Sequence, residues 1–171
     1  NDYFRPELTE DQLRAISSIG LAHMGDAVFE ILVRAWLCAH GKATGKGLHQ
    51  ATVALVRAES QAERAERILP LLTEEEQAMF RRGRNAQVHT IPPHASRAQY
   101  AQATALEALL GWLYLRGQRE RINALFCAMM EDETMPLDAI CLQAVVGELM
   151  GLMVPNSAKP PLRLSYWGRW S

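Results

Sequence analysis

Two carboxylates stand in segments that are otherwise typical of apolar helices. Asp26 lies within "LAHMGDAVFEILVRAWL" and Glu107 within "QATALEALLGWLYL". Residues three and four positions apart share one face of a helix, and around both acids these positions are mostly apolar. We therefore expect both side chains to be drawn at least partly into the protein interior.

An ionised carboxylate near a core is unfavourable unless it is paired, hydrogen-bonded or bound to a cation. One partner for each acid would be a histidine or an arginine. Another would be Mg²⁺, which takes hard oxygen ligands and is commonly held by one or two carboxylates together with water and substrate phosphate. A third arrangement would be two acids that share a proton. The spacing in the sequence does not choose among the three.

The composition indicates a globular protein with one core and an appendage. The chain has 171 residues, of which 49% are hydrophobic and 22% charged, and this balance excludes a disordered chain. No apolar run is long enough to span a membrane and no secretory signal is visible, so we expect a cytoplasmic protein. Three widely spaced cysteines among apolar neighbours favour reduced core thiols over a disulfide framework or a zinc site: Cys38, Cys127 and Cys141.

Apolar positions recur at spacings of three and four along nearly every segment, which predicts an all-α fold. Thr9, Thr73 and Ser96 stand where helix N-caps are expected. Gly20 is expected to break the chain before a central helix, and "GKATGKG" is expected to be a loop. The predicted longer helices are 21–40, 48–72 with Pro70 near its end, the helix after Thr73, 96–117, 119–131, and a last one from Pro136 to Pro155.

Positive charge must be local if the protein binds nucleic acid, because the net charge is −1. One candidate block, "FRRGRNAQVH", places basic residues at a helix end, where the helix dipole alone would also favour them. A second block, "GKATGKGLHQ", adds Lys42, Lys46 and His49 beside Gly45 and Gly47, which allow close approach to a backbone. The candidate nucleic-acid-binding residues are Lys46, His49, Arg81, Arg82, Arg84 and Asn85.

Three blocks in order resemble the catalytic domain of the ribonuclease III superfamily, and more closely its short Mini branch, which lacks a separate double-stranded-RNA-binding domain. They are "LAHMGDAVFE", "RRGRNA" and "QATALEALLGWLYL", and "LHQATVALVRAESQA" also fits. Asp26 matches the acid of the "GDA" block and Glu107 that of the "EAL.G" block. Full-length members carry two further acids, where this chain has Ala22 and Thr104, a reduced set that the Mini branch shares.

The resemblance implies a homodimeric endonuclease domain that cuts double-stranded RNA with Mg²⁺, held by Asp26 and Glu107 as catalytic and metal-binding residues. By the same resemblance, the substrate would be precursor large-subunit ribosomal RNA, with a ribosomal protein as a conceivable helper. Gly25 would leave room for a close neighbour, and Glu30 is expected to pair with Arg34 rather than to serve the metal. We expect a catalytic domain over 1–132 and a C-terminal extension over 133–171.

A rival hypothesis is an RNA-binding or ribosome-assembly protein that keeps this fold and has lost cutting. The missing acids at Ala22 and Thr104 favour it. Retention of Asp26 and Glu107 weighs against it, because a silent protein has no metal-binding reason to keep carboxylates in apolar helices.

Overall fold

The structure, a computed structural model, describes residues 2–41, 44–86 and 96–130. Within these ranges the chain is helical and contains no strand, which confirms the all-α prediction. The helices are α1 (Glu10–Ala15), α2 (Ser18–Ala39), α3 (Gly45–Val56), α4 (Ala58–Ile68), a short 3-10 helix (Leu69–Leu71), α5 (Glu74–Arg84), α6 (Arg97–Leu115) and α7 (Arg119–Met130).

The predicted caps at Thr9, Thr73 and Ser96 are confirmed. Each side-chain oxygen accepts a hydrogen bond from the backbone N–H three residues on, and the Gln or Glu at that position bonds back to the cap's own N–H. These reciprocal bonds satisfy helix donors that would otherwise lack partners. The starts of α1, α5 and α6 are therefore encoded by local sequence.

The predicted break at Gly20 is wrong, because Gly20 lies in the first turn of α2. The chain turns instead at Ser17, whose Oγ accepts a hydrogen bond from the Gly20 N–H at 3.0 Å. A serine cap starts a helix more strongly than a single glycine in the first turn opposes it.

Two further boundaries differ from the predictions. "GKATGKG" is not all loop, since Thr44 caps α3 and Gly45 to Gly47 are helical. Residues 48–72 do not form one helix, because the chain is extended at Arg57 (φ −68°, ψ 154°) and then enters the 3-10 helix that contains Pro70. The fully buried Gln61 stabilises the bend at Arg57, since its Nε2 donates to the Val56 carbonyl at 2.9 Å.

Helix α6 is the centre of the fold and packs against α2, α4, α5 and α7. Every residue from Ala103 to Leu113 is buried, whereas α2, which we expected to be central, leaves Ile31 62% exposed. The sequence did not rank the two helices correctly because both are apolar on most of their circumference. Of the two, α6 is enclosed along most of its length, while α2 packs against α6, α3 and α5 and keeps one face exposed.

The described cysteines, Cys38 and Cys127, are free, as predicted, but both are exposed, so their assignment to the core is wrong. Several other predictions fall outside the described residues. They concern Cys141, Lys42, the helix opened by Pro136 and the rest of the extension over 133–171. No helix in the described part of the chain is long and apolar enough to cross a membrane.

Candidate active site

Helices α2 and α6 cross with their backbones in direct contact. A Cβ added to Gly25 would lie 1.7 Å from the carbonyl oxygen of Glu107, and one added to Gly111 would lie 2.0 Å from the carbonyl oxygen of Leu21. Neither position can therefore hold a side chain without separating the helices. Because Leu21 meets Gly111 and Gly25 meets Glu107, the two helices run antiparallel at this crossing.

The crossing brings the neighbourhoods of the two acids together. Asp26 follows Gly25 directly and is half-buried, while Glu107 contributes its own backbone to the contact and is only 7% exposed. The expectation that both acids are drawn inward is confirmed. Two acidic residues from different helices thus stand at one close backbone contact.

The end of α5 packs against the same part of α6. A Cβ on Gly83 would meet the Cβ of Ala108 at 2.7 Å and the Cα of Ala105 at 3.0 Å. Glu107 lies on the turn of α6 between these alanines. The "RRGRN" block is therefore fixed beside the helical turn that carries one of the acids.

The side chains of this block differ in their contacts. Arg81, Arg82, Arg84 and Asn85 are all exposed. Arg82 reaches across to the start of α2, where its Nη2 donates to the carbonyl oxygen of Ile16 at 2.9 Å. Asn85 is the C-cap of α5, and its backbone N–H donates to the carbonyls of Arg81 and Gly83.

The other two predicted RNA-binding residues lie on α3. Lys46 and His49 are exposed in its first turns. Helix α3 packs mainly against α2 and α4. Helix α2 therefore connects Lys46 and His49 to the α2–α6 crossing, and the arginine block on α5 does not.

The positions of the two missing acids are occupied by structural side chains. Ala22 is 1% exposed, and the buried Thr104 donates its hydroxyl to the Tyr100 carbonyl at 3.0 Å. Among the residues that the structure describes, no group of three or more histidines, cysteines and acids could hold a metal ion. Asp26 and Glu107 are the acidic residues whose backbones lie at the crossing, and carboxylate oxygens are ligands that suit a hard cation.

Glu30, one turn beyond Asp26, pairs with Arg34 as predicted. The Arg34 Nε donates to Glu30 Oε1 at 2.9 Å, and the Arg34 Nη2 contacts the same oxygen. This ion pair accounts for Glu30 without a role in binding metal. His23, which is also on α2, is exposed.

The sequence did not predict the charged pair that Glu76 forms with Arg121. The buried Glu76 accepts hydrogen bonds from Arg121 Nε and Nη2, both at 2.8 Å, and the same Nη2 donates to the Leu71 carbonyl at 2.7 Å. The Arg121 hydrogen bond holds the pKa of Glu76 below its usual value, and Glu76 in turn raises the pKa of Arg121. This pair joins α5 to α7, and its members are too far apart in sequence for any local pattern to show it.

Comparisons with known proteins agree with this geometry. The sequence model of the ribonuclease III domain matches residues 20–118. A Mini-ribonuclease 3 of Symbiobacterium thermophilum is 45% identical over 60% of this chain and 79% of that protein. The Mini-ribonuclease 3 of Enterococcus faecalis is 37% identical over 71% of this chain and 95% of that protein.

A solved structure gives the same result for the fold. An X-ray crystal structure of a protein from Fusobacterium nucleatum superposes with a TM-score of 0.65 at 29% identity, covering 71% of this chain and 93% of that one. The chain belongs to the ribonuclease III family, and within it to the Mini-ribonuclease III group. It is accordingly an endoribonuclease of the class specific for double-stranded RNA, and enzymes of this family generally use a divalent metal.

Proposed function

We propose that this chain cuts double-stranded RNA at the crossing of α2 and α6, with Asp26 and Glu107 as the ligands of Mg²⁺. The observation that carries the proposal is the direct contact between Gly25 and the Glu107 backbone, which puts an acid from each helix at one place. The donors are carboxylate oxygens, the ligands that Mg²⁺ prefers.

Bound Mg²⁺ would supply neutralisation of the phosphate charge and an activated water. The chain's own contribution is position. Glu107 lies on the most enclosed helix of the fold, and Asp26 follows the residue that touches its backbone. Both carboxylates are therefore held before substrate arrives, and little reorganisation is required during the reaction.

We propose that exposed cations of α3 and α5 hold the RNA, as Lys46, His49 and the "RRGRN" block predict. A-form RNA is recognised by its shape through phosphates and 2′-hydroxyls, which suits arginines and lysines without an additional binding domain. Sequence preference should then be weak. The exposure of these side chains supports the proposal.

The experiment is cleavage of a long double-stranded RNA with Mg²⁺ by the wild type, Asp26→Asn and Glu107→Gln. Glu30→Gln is the matched control, because it removes a carboxylate one turn from Asp26 that is engaged with Arg34. We expect a loss of at least about 100-fold for the two site variants, with RNA binding retained, and near wild-type rates for the control. Binding without cutting by the wild type would favour the silent RNA-binding rival.

We propose precursor large-subunit ribosomal RNA as the natural substrate. The test compares cleavage of that precursor's terminal stem with cleavage of an unrelated duplex of equal length, with and without ribosomal proteins. A single cut in the precursor stem supports the proposal. Equal, scattered cutting of both duplexes contradicts it.

We propose that the active form is a homodimer, since proteins of this family typically dimerise. An apolar groove of about 330 Å³ lies beside α2, which contributes Met24, Ala27, Val28, Ile31 and Leu32, and its other side is formed by Phe4, Tyr114, Arg119 and Ile122. A second copy covering this groove would bury Ile31, which is 62% exposed. Ile31→Glu should then give a monomer by light scattering, whereas Val53→Glu, an exposed apolar residue on α3, should not. A dimer that survives Ile31→Glu contradicts this interface.

We propose that the protein acts in the cytoplasm. The described cysteines are free, as in a reducing compartment.

We also propose that residues 1–132 form the catalytic domain and 133–171 an extension. The segment that matches the family model ends at residue 118. A chain ending at residue 132 should keep double-strand cleavage. Loss of cleavage by a folded, truncated chain would place part of the site in the extension.

A further inference from the structure

The arginines of the "RRGRN" block surround a glycine that faces the core. Successive residues of a helix point about 100° apart. Because Gly83 contacts α6, Arg82 and Arg84 leave α5 on opposite sides of that contact. Arg81, three residues before Arg84, shares the face of Arg84.

Only Arg82 has a described tie to another helix. Its Nη2 donates to the Ile16 carbonyl at 2.9 Å, across 66 residues of sequence. Ile16 is the C-cap of α1 and precedes Ser17, the N-cap of α2. A guanidinium bound to a carbonyl at a helix end forms a charge-assisted bond that offsets the helix dipole.

The hydrogen bond from Arg82 to Ile16 acts on α2, the helix that carries Asp26. The Ile16 side chain packs on the first turn of α2, since a Cβ on Gly20 would meet the Ile16 Cγ2 at 3.0 Å. The contact of α2 with α6 includes Leu21 and Gly25, which lie about 6 Å and about 12 Å further along α2 than its N-cap Ser17. A second attachment at the start of α2 opposes rotation of the helix about that crossing.

We propose that the arginine block is divided in function. Arg82 is a positioning residue, which fixes the start of α2 and through it the Asp26 carboxylate, while Arg81 and Arg84 contact RNA phosphates. The proposal rests on the proposed function, because it assigns roles at the same site. It changes the sequence-based assignment of Arg82, which grouped all three arginines as RNA ligands.

The two roles differ in measurable ways. A phosphate contact contributes to the salt dependence of RNA binding, and its removal lowers the slope of log K against log salt by about one. A positioning residue does not change that slope. It changes the Mg²⁺ concentration needed for activity, because metal affinity depends on how well its ligands are oriented, by about tenfold for a supporting residue.

The experiment uses the full chain with Arg82→Ala, Arg81→Ala and Arg84→Ala. RNA binding is measured in EDTA over a range of salt concentrations, and cleavage is measured as a function of Mg²⁺ well below each variant's Tm. We expect Arg82→Ala to keep the wild-type salt slope, to need about tenfold more Mg²⁺ and to lose kcat. Arg81→Ala and Arg84→Ala should each lower the slope by about one and leave the Mg²⁺ requirement unchanged.

Arg82→Lys separates charge from geometry. A lysine keeps the charge for a phosphate, but its Nζ stands one bond closer to the backbone than the Arg82 Nη2 that donates to the Ile16 carbonyl. We therefore expect Arg82→Lys to share at least part of the Mg²⁺ defect of Arg82→Ala. Full rescue of cleavage together with a wild-type Mg²⁺ requirement would overturn the positioning role.

Three other outcomes also overturn the proposal. They are a lowered salt slope in Arg82→Ala, an unchanged Mg²⁺ requirement, and a fall in Tm with no change in kcat or in that requirement. Failure of the proposed function is distinguished by the wild type. If the wild type binds RNA but does not cut it, the salt slopes still show whether the three arginines divide as proposed.

Discussion

At the crossing of α2 and α6 the two backbones touch with no side chain between them, whereas α5 and α7 are joined by the charged pair Glu76 and Arg121. The first contact depends on the absence of side-chain atoms at Gly25 and Gly111. The second depends on an ionised carboxylate, whose pKa the arginine lowers. The acids proposed for catalysis stand at the first kind of contact.

The two contacts have different effects: the backbone contact fixes the positions of residues, and the ion pair stabilises the fold. A backbone contact leaves a helix no room for adjustment, which suits a site where two carboxylates must keep their separation. An ion pair between two flexible side chains tolerates small shifts and mainly opposes separation of the helices. Substitutions in the two regions should therefore produce different kinds of defect.

The largest effect is expected from Gly25→Ala. The new methyl group would lie 1.7 Å from the Glu107 carbonyl, so the helices must separate. We expect loss of cleavage and a fall of at least about 3 kcal/mol in the free energy of unfolding, measured by urea denaturation. Gly45→Ala is the control, because its methyl group would meet nothing within 4 Å. A Gly25→Ala protein with wild-type activity would contradict the close crossing.

A smaller effect, dependent on pH, is expected from Glu76→Gln. Because the folded-state pKa of Glu76 is lowered, its ion pair stabilises the protein fully above the usual carboxyl value of 4.5. That contribution is lost as pH falls through the lowered pKa. We expect the wild type to exceed Glu76→Gln by about 2 kcal/mol at pH 7 and by less below pH 4.5.

The measurement for Glu76→Gln is urea unfolding at pH 7 and at several values below 4.5. Cleavage by the folded variant at pH 7 should remain close to wild type, because α5 and α7 are joined away from the α2–α6 crossing. If the wild type and Glu76→Gln differ in free energy of unfolding by the same amount at every pH, the ion pair does not stabilise the fold through its charge.

The smallest effect is expected from Thr104→Val, at the position of a missing acid. Its hydroxyl already donates to the Tyr100 carbonyl, so we do not expect it to serve the metal. The change should lower stability by about 1 kcal/mol or less and leave the Mg²⁺ requirement for cleavage unchanged. A raised Mg²⁺ requirement would show that the site uses more than two protein ligands.

Sequence patterns predicted those features that arise within a few residues. The caps at Thr9, Thr73 and Ser96 are local hydrogen bonds, and the Glu30 and Arg34 pair is a contact one turn apart. The burial of the two acids could also be predicted, because their helical neighbours are apolar. Where two local signals competed, as at Gly20 and Ser17, the prediction chose the weaker one.

Contacts between distant segments could not be predicted in this way. The hydrogen bond from Arg82 to Ile16 joins residues 66 positions apart, and the bond from Arg121 to Glu76 spans 45. Neither leaves a period or a motif in the sequence. The bend at Arg57 was also missed, although its stabilising bond from Gln61 to Val56 spans only five residues, because that bond depends on the burial of Gln61 in the folded protein.

By itself, the sequence determined the all-α class, the starts of α1, α5 and α6 and the family whose motifs include the two acids, since each of these depends on residues close together in the chain. Only the tertiary structure decided that Gly25 and Gly111 are the residues that let α2 touch α6, and that Arg82 faces a helix end. The physical reason is that steric exclusion acts between surfaces that meet only after the chain has folded.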